Sequence, residues 1–364
     1  MSLLPADIAL LRLDSQQVGG TKYKTPAALV ARMGAMQAQD YGMARLAVGI
    51  RVPRTNSATV QRAIDRGEVI RTHVLRPTWH LVAARDISWM LDLTAPHIKA
   101  SLTSRHRQLE LTPSTISKGC RAIERSLSRE DHLTREELVQ RLGEAGIKTH
   151  DNRAAHILLM AELDKIICSG PLQGKKNTYR LFANCIRDPA KLTREESLAA
   201  LAGRYLQSHG PATIQDFTWW SGLPARDAKA GIEMVKTNFL SETIGTRTYW
   251  FVSPRPSPTR ANSLYFLPAF DEFIISYRDR SAGLALTHHA RAIGVNGMFR
   301  PVIVFNGQVI GTWKRTMVKN KGVISTQLFP RAGVRKNRDL RNMIGETAEK
   351  VNAFFTTGQQ PDDQ

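Results

Sequence analysis

One structural unit recurs along this chain: a helix with a well-marked start, a second helical stretch and a short basic hairpin. The clearest start lies in HLTREELVQRLGEAGI, where Thr134 precedes an apolar helical stripe and Glu137 follows three residues later. This spacing predicts a capping box, in which each side chain bonds the other residue's backbone N–H. The run NRAAHILLMAELDKIICSG predicts the second helix, and Gly174 with two lysines in PLQGKKNTYRLF predicts a hairpin tip.

Two other segments carry the same pattern. One begins near LTREESLAALAGRYLQSHG, continues through TIQDFTWWSGLPARDAKAGIEMVK and ends in FLSETIGTRTYWFV, which contains a glycine turn between two strands. In the N-terminal segment, Thr25 precedes the helix and Pro26 takes its first position, while EVIRTHVLRPTWHLV supplies a hairpin. Since two helices and a hairpin form a winged helix, the sequence predicts three winged helices in tandem.

The character of the sequence changes after the Pro- and Ser-rich segment SPRPSPTRAN. In RPVIVFNGQVIGTWKRT, Asn306 and Gly307 lie between two β-branched runs, which strongly indicates a type I′ hairpin. A helix around LRNMIGETAEKVNAFF is expected to close this part. We therefore predict a mainly α fold with β structure, α+β in class, in which tandem winged helices precede a small β-rich C-terminal domain.

The predicted domain boundaries follow these units. The Pro-rich segment then separates the helical part from the β-rich part. The boundaries are 1–119, 120–190 and 191–253 for the winged helices, 262–355 for the β-rich domain with its basic hairpin, and 356–364 for a disordered tail.

The chain is strongly basic, with 51 Lys and Arg against 32 Asp and Glu, a formal charge of +19 and a sequence pI near 10.2. This charge favours a polyanionic partner, with nucleic acid ahead of an anionic membrane. No apolar run reaches the roughly 20 residues that span a bilayer, and the start lacks the features of a signal peptide. We expect a monomer that is cytoplasmic and nucleoid-associated and that binds double-stranded DNA, not a membrane.

The cysteines and histidines show no spacing typical of a metal site. Cys120, Cys168 and Cys185 are scattered, without a CxxC or Cys/His pattern that would indicate zinc or a disulfide framework. We therefore expect neither a metal nor a cofactor.

Six ordered strings carry a resemblance to a known family: GAMQAQDYG, RPTWHLV, GPATIQDFTWWSGL, LPAFDEFIISYRDR, NGMFRP and VIGTWKR. The chain resembles, over nearly its whole length, the winged-helix family that contains the AlkZ and YcaQ DNA glycosylases. The resemblance implies a concave, basic protein that embraces duplex DNA and hydrolyses the N-glycosidic bond of alkylated bases. The family's catalytic motif is glutamine, an apolar residue, then glutamine or aspartate, which here corresponds to Gln37, Ala38 and Gln39.

Two amides are sufficient for this chemistry when the leaving group is already cationic, as it is in N7-alkylguanine or N3-alkyladenine. What remains is to position a water and stabilise the developing oxocarbenium charge. Gln37 and Gln39 share a face only if the preceding helix stops near Met36, because a continued helix separates them by roughly 200°. The prediction is a monofunctional DNA glycosylase for cationic alkylated purines, with interstrand cross-links as a further candidate and uracil as a poor substrate.

Other residues near these motifs leave alternatives open. Asp40 is a conventional base but faces away from Gln37 in an extended chain. Asp271 and Glu272 are adjacent on a predicted strand and so point to opposite sides, which favours a structural role with Tyr277 or Arg280 as partner. The tryptophan pair 219–220 is expected in the core and not as a base-stacking platform.

Two clusters are candidate DNA-binding residues. Arg76, Thr78 and His80 alternate on a predicted strand and could line the DNA surface, although a solvated wing with a structural histidine is an equal alternative. A second cluster flanks the Asn-Gly hairpin and is expected to contact phosphates, with a merely solvated face as the alternative; its residues are Arg300, Lys314 and Arg315.

Two function classes besides a glycosylase remain open. A tandem winged-helix transcription regulator would read bases with a recognition helix, for which NRAAHILLMAEL is the best candidate, although it looks too apolar for this task. A non-catalytic architectural DNA-binding protein would use the same charge and leave the glutamines inert.

Overall fold

The computed structural model describes residues 5–253, 262–319, 321–330 and 338–356. The chain forms two compact units: a composite unit of residues 1–61 and 199–364, and a central unit of residues 62–198. The described helices are α1 (Pro5–Ser15), α2 (Pro26–Met33), α3 (Tyr41–Gly49), α4 (Ser57–Asp65), α5 (Ile87–Gln108), α6 (Pro113–Leu127), α7 (Arg135–Glu144), α8 (Arg153–Leu163), α9 (Phe182–Cys185), α10 (Arg194–His209), α11 (Ile214–Ser221), α12 (Ala225–Val235), α13 (Glu272–Ile275), α14 (His289–Ala292) and α15 (Arg338–Thr356).

The strands are short in most of the chain and longest near its C-terminus. In the described residues they are β1 (Ala35–Gln37), β2 (Val69–His73), β3 (Trp79–Ala83), β4 (Leu133–Thr134), β5 (Ile167–Ser169), β6 (Thr178–Leu181), β7 (Leu240–Ile244), β8 (Arg247–Phe251), β9 (Leu264–Leu267), β10 (Val302–Phe305), β11 (Gln308–Val318) and β12 (Lys321–Leu328). This mixture of helices and small antiparallel sheets confirms the α+β prediction. None of the described helices is long and apolar enough to cross a membrane.

The central unit contains the second predicted winged helix. The Thr134 hydroxyl accepts the backbone N–H of Glu137 at 3.2 Å, and the Thr134 backbone N–H donates to the Glu137 carboxylate at 2.7 Å. The predicted capping box is therefore confirmed. α6, α7 and α8 enclose an apolar core that includes Leu138 and Leu142. The hairpin follows as predicted, because β5 pairs antiparallel with β6 and Gly174 takes a positive φ of 61° at its tip. The central unit also contains the antiparallel hairpin β2–β3.

The helices of the predicted third winged helix start at two more capping boxes, one at the start of α10 and one at the start of α11. Thr193 and Glu196 exchange hydrogen bonds at 2.7 and 3.2 Å, and Thr213 and Asp216 do so at 3.0 and 3.2 Å. The hairpin β7–β8 ends this segment and turns at Gly245, whose φ is 61°. Local capping and turn chemistry therefore fixed these elements where the sequence indicated them.

The C-terminal part of the composite unit is an antiparallel sheet in the order β12–β11–β10–β9. Phe305 pairs with Gln308 across the turn, and Asn306 and Gly307 have φ values of 46° and 77°. Because positive φ at both central residues defines a type I′ turn, this prediction is confirmed. α15, which matches the expected closing helix, packs against α3, β9 and β12.

The division of the chain into three winged helices and a C-terminal domain stays a prediction. Most of the Pro-rich linker (residues 254–261) and the tail after Thr356 lie outside the described residues.

Candidate active site

The segment that carries the two glutamines is a short strand between two helices. Thr25 caps α2 by accepting from the Ala28 N–H at 3.2 Å, with Pro26 at the first helical position as predicted. The helix ends at Met33 because Gly34 takes a φ of 79°, and β1 begins at once. The helix therefore stops three residues before Met36, and the chain is extended at Gln37 as the catalytic hypothesis requires.

The two glutamines differ in their surroundings. Gln37 is the last residue of β1 and only 5% exposed, whereas Gln39 lies beyond the strand and is exposed. The alternation of side chains along a strand therefore applies to Gln37 but does not extend to Gln39. That both amides hold one water stays a prediction.

Asp40 has a structural task. Its Oδ1 accepts the backbone N–H of Met43 at 3.0 Å, so it is the N-cap of α3. A carboxylate used in this way is directed at a helix end, which favours the glutamines over Asp40 as the residues that hold water.

Beneath Gln37 lies a residue that sequence reasoning treated as merely structural. The carboxylate of Glu272, 2% exposed, accepts the backbone N–H of Gln37 on Oε1 at 2.5 Å. Its Oε2 accepts from the Ser276 hydroxyl and from Nε1 of Trp220, the latter at 3.3 Å. Nε2 of His209, which is fully buried, lies 3.4 Å from the same oxygen. We call Glu272, His209, Trp220 and Ser276 the Glu272 cluster.

The electrostatics of this cluster keep Glu272 ionised. Burial acts to raise the pKa of its carboxyl, but the interactions with His209, the Ser276 hydroxyl and the Gln37 N–H outweigh it and lower the pKa to about 2. The charge of His209 takes part only at acid pH, where its imidazole is protonated. Burial also lowers the pKa of His209, despite the opposing effect of Glu272. At neutral pH the pair is a carboxylate anion beside a neutral imidazole, whose Nδ1 lies 2.8 Å from the Ser208 hydroxyl.

The neighbouring carboxylate has a different set of partners. Asp271 forms a bidentate ion pair with Arg51 at 2.8 and 2.9 Å, and the Arg51 side chain is fully buried. Its Oδ1 also accepts the Phe273 N–H at 3.0 Å, which makes it the N-cap of α13.

The predicted partners of these carboxylates, Tyr277 and Arg280, were wrong. The Tyr277 hydroxyl donates to the His209 carbonyl, and Nε of Arg280 donates to the Ile274 carbonyl. The prediction failed because the pair lies at a helix start and not on a strand. An Asp followed by Glu and three apolar residues was the sequence signal for that N-cap.

The tryptophan pair divides between core and surface. Trp220 is 1% exposed and packs against Tyr205 and Phe217, so its predicted core position is confirmed. Trp219 is 37% exposed; its Nε1 donates to the Ile275 carbonyl at 2.8 Å and the Arg280 guanidinium lies 5.2 Å from its ring centre. The core prediction was wrong for Trp219, because successive helical residues face directions about 100° apart.

The strand that was expected to align Arg76, Thr78 and His80 begins only at Trp79. Arg76 and Thr78 lie in the loop between β2 and β3, so their alternation on one strand face was wrong. His80 is 1% exposed, and its Nδ1 lies 2.8 Å from the Thr78 carbonyl oxygen. This placement matches the alternative of a structural histidine; a DNA contact from the two loop residues stays a prediction.

The basic residues beside the Asn-Gly hairpin point in different directions. Arg300 and Lys314 are both exposed and occupy neighbouring positions, since the Trp313 N–H donates to the Pro301 carbonyl. Arg315 is half-buried: its Nε donates to the Asn352 amide oxygen at 2.8 Å, and burial lowers the pKa of its guanidinium. Phosphate contact is therefore best supported for Arg300 and Lys314.

Within the described ranges, no group of three or more His, Cys, Asp or Glu side chains is placed to hold a metal ion.

Comparisons with known proteins place this site in context. Residues 30–354 match a protein family described as "DNA glycosylase AlkZ-like". A curated relative from Streptomyces sahachiroi, the "Interstrand DNA cross-link repair glycosylase", is 24% identical over 305 residues, which cover 79% of this chain and 81% of the relative. The solved structure of the Streptomyces sahachiroi DNA glycosylase AlkZ has the same fold, with a TM-score of 0.79, 22% identity and 97% of each chain covered.

Proposed function

The chain belongs to the family of AlkZ-like DNA glycosylases, and we propose that it releases cationic alkylated purines from duplex DNA with a water held by Gln37 and Gln39. The observation that carries this proposal is the placement of Gln37 at the end of a strand, with its backbone held by a buried carboxylate. A fixed backbone limits where the Gln37 side-chain amide can lie, and a group in a limited range of positions is what orientation of a water requires.

The reaction needs no strong acid if the base is already cationic. The water oxygen bonds to the sugar C1′ while the bond from C1′ to N9 of the purine breaks, the bonding electrons leave with the base, and the base departs neutral. One proton of the water passes to solvent. The amide oxygens of the two glutamines would accept hydrogen bonds from the water and place partial negative charge near the oxocarbenium ion.

The substrate is proposed to be an N7-alkylguanine or N3-alkyladenine. Interstrand cross-links stay among the candidates, and the name of the Streptomyces relative supports them. A monofunctional reaction that leaves an intact abasic strand, a monomeric state and a nucleoid-associated location in the cytoplasm belong to the same proposal.

Binding to duplex DNA is supported by the formal charge of +19 and by the exposed Arg300 and Lys314. The candidate recognition helix of a transcription regulator, α8, has eight buried residues out of eleven, including Arg153 and Glu162. A helix so largely buried offers few side chains to base edges, which weighs against the regulator.

The test is single-turnover release of N7-methylguanine from a duplex, with detection of the free base. Gln37→Ala and Gln39→Ala should each slow release by about 10²–10³-fold while DNA affinity changes little. Gln16→Ala removes another buried amide and Gln215→Ala another exposed one, so these are the matched controls. Folded Gln37→Ala and Gln39→Ala variants that release base at the parent rate would refute the proposal, as would efficient release of uracil.

A further inference from the structure

The backbone of Gln37 is held by an unusual acceptor. Strand residues normally donate their N–H groups to carbonyls, but the Gln37 N–H donates to a side-chain carboxylate that lies 235 residues away in sequence. Hydrogen bonds to an ionised acceptor are shorter and stronger than those between neutral groups. The Gln37 N–H meets such an acceptor at Oε1 of Glu272.

The Glu272 cluster is built from neutral donors. The hydroxyl of Ser276, the indole of Trp220 and the imidazole of His209 surround Oε2. Among the residues that the structure describes, no lysine or arginine forms an ion pair with Glu272. At neutral pH, where His209 is uncharged, the negative charge of Glu272 is therefore stabilised by dipoles and not cancelled by a cation.

We propose that Glu272 is the positioning residue of the active site, which fixes the Gln37 backbone and thereby holds the Gln37 amide where it binds the attacking water. This inference rests on the proposed catalytic role of Gln37. Glu272 does not need to touch the DNA, because it acts through the single hydrogen bond to the strand.

Glutamine is a poor substitute for Glu272 for a specific reason. The site has donors on both sides of the carboxylate: the Gln37 N–H at Oε1 and the Ser276 and Trp220 donors at Oε2. A glutamine amide has only one oxygen, so its NH₂ group would face a donor on one side whichever way it is oriented. The Glu272→Gln variant keeps the shape of the side chain but cannot accept hydrogen bonds from the donors on both sides.

The test compares Glu272→Gln with Asp216→Asn in the single-turnover release of N7-methylguanine. Asp216 is a carboxylate that is also 1% exposed and also accepts backbone N–H groups, from Thr213 and Arg278, but it does not contact Gln37. We expect Glu272→Gln to slow release by roughly 10²-fold with little change in DNA affinity, because small displacements of a positioning group cost about that much. Asp216→Asn should release base near the parent rate.

The Gln37→Ala variant separates this inference from the proposed function. If Glu272 acts through Gln37, the rate of Glu272→Gln combined with Gln37→Ala should equal that of Gln37→Ala alone, since residues that act as a unit lose their benefit together. Multiplied losses in the double variant would overturn the positioning role.

Other outcomes are equally decisive. Slow release by Gln37→Ala together with parent-rate release by Glu272→Gln would overturn the positioning role and leave the catalytic role of Gln37 intact. Parent-rate release by Gln37→Ala would overturn both. Equal slowing in Glu272→Gln and Asp216→Asn would show a general effect of losing a buried carboxylate, and would also contradict the inference.

Discussion

Asp271 and Glu272 are adjacent, both about 2% exposed and both ionisable, yet they have opposite kinds of partners. Asp271 meets the guanidinium of Arg51 in a bidentate ion pair, and its charge is neutralised. Glu272 meets a hydroxyl, an indole, an imidazole and a backbone N–H, and at neutral pH none of these groups neutralises its charge. The first arrangement ties parts of the fold together, whereas the second maintains an anion directly beneath the candidate catalytic strand.

Under the proposed roles, the structural carboxylate and the positioning carboxylate differ in their partners and not in their burial. Removing one partner of a neutralised pair leaves the other as an uncompensated buried charge. A carboxylate held by dipoles keeps its full charge for the hydrogen bond from the Gln37 N–H. Three further measurements test this contrast between Asp271 and Glu272.

The largest effect is expected when the Asp271 ion pair loses its cation. Arg51→Met should lower the free energy of unfolding by about 3–5 kcal/mol, because Asp271 becomes an uncompensated buried charge. Urea unfolding measures this loss. The stability loss of Glu272→Gln serves as the comparison and should be smaller. If Arg51→Met keeps the parent stability but loses base release, the assignment of structural and functional roles is reversed.

Acid should weaken the Glu272 cluster over a defined range. The pKa of Glu272 in the folded protein, about 2, is below its ordinary 4.5, so its contribution is complete above pH 4.5 and is lost as the pH falls toward 2. The lowered pKa of His209 adds a loss that begins as the pH falls through 6.5.

Unfolding free energies between pH 7 and 2 test this directly. Glu272→Gln should flatten the part of the curve below pH 4.5, and Asp216→Asn is the control for the loss of another buried carboxylate. An unchanged curve in Glu272→Gln would mean that Glu272 does not titrate in this range.

The smallest effect is expected from removing one neutral donor. Ser276→Ala takes away a single hydrogen bond to Glu272 but leaves its charge and the Gln37 N–H in place. Stability should fall by about 1–2 kcal/mol, and base release should slow less than in Glu272→Gln. Ser221→Ala, which removes a buried hydroxyl bonded to the Phe217 carbonyl, is the matched control. A larger rate loss in Ser276→Ala than in Glu272→Gln would contradict the view that Oε1 of Glu272 matters most.

Much of the secondary structure could be predicted from local rules. The capping box at Thr134, the proline start of α2 and the type I′ turn at Asn306 depend on residues at most three positions apart. Such interactions are nearly the same in any fold, so the sequence alone specifies them. The same reasoning placed Arg76 and Thr78 on a strand, because strand boundaries depend on pairing with neighbours distant in sequence. It also overlooked the local N-cap signal at Asp271, where the short helix begins.

Local sequence is enough for the α+β class, the helix starts, the hairpin turns, the positive charge and the glutamine motif. The contact between Gln37 and Glu272 across 235 residues, the burial that keeps His209 neutral and the ion pair of Asp271 exist only in the folded chain. The two groups of features differ in the range of the interactions that produce them. Capping and turn formation act within a few residues, whereas desolvation and charge pairing depend on everything that folding brings to within a few ångströms.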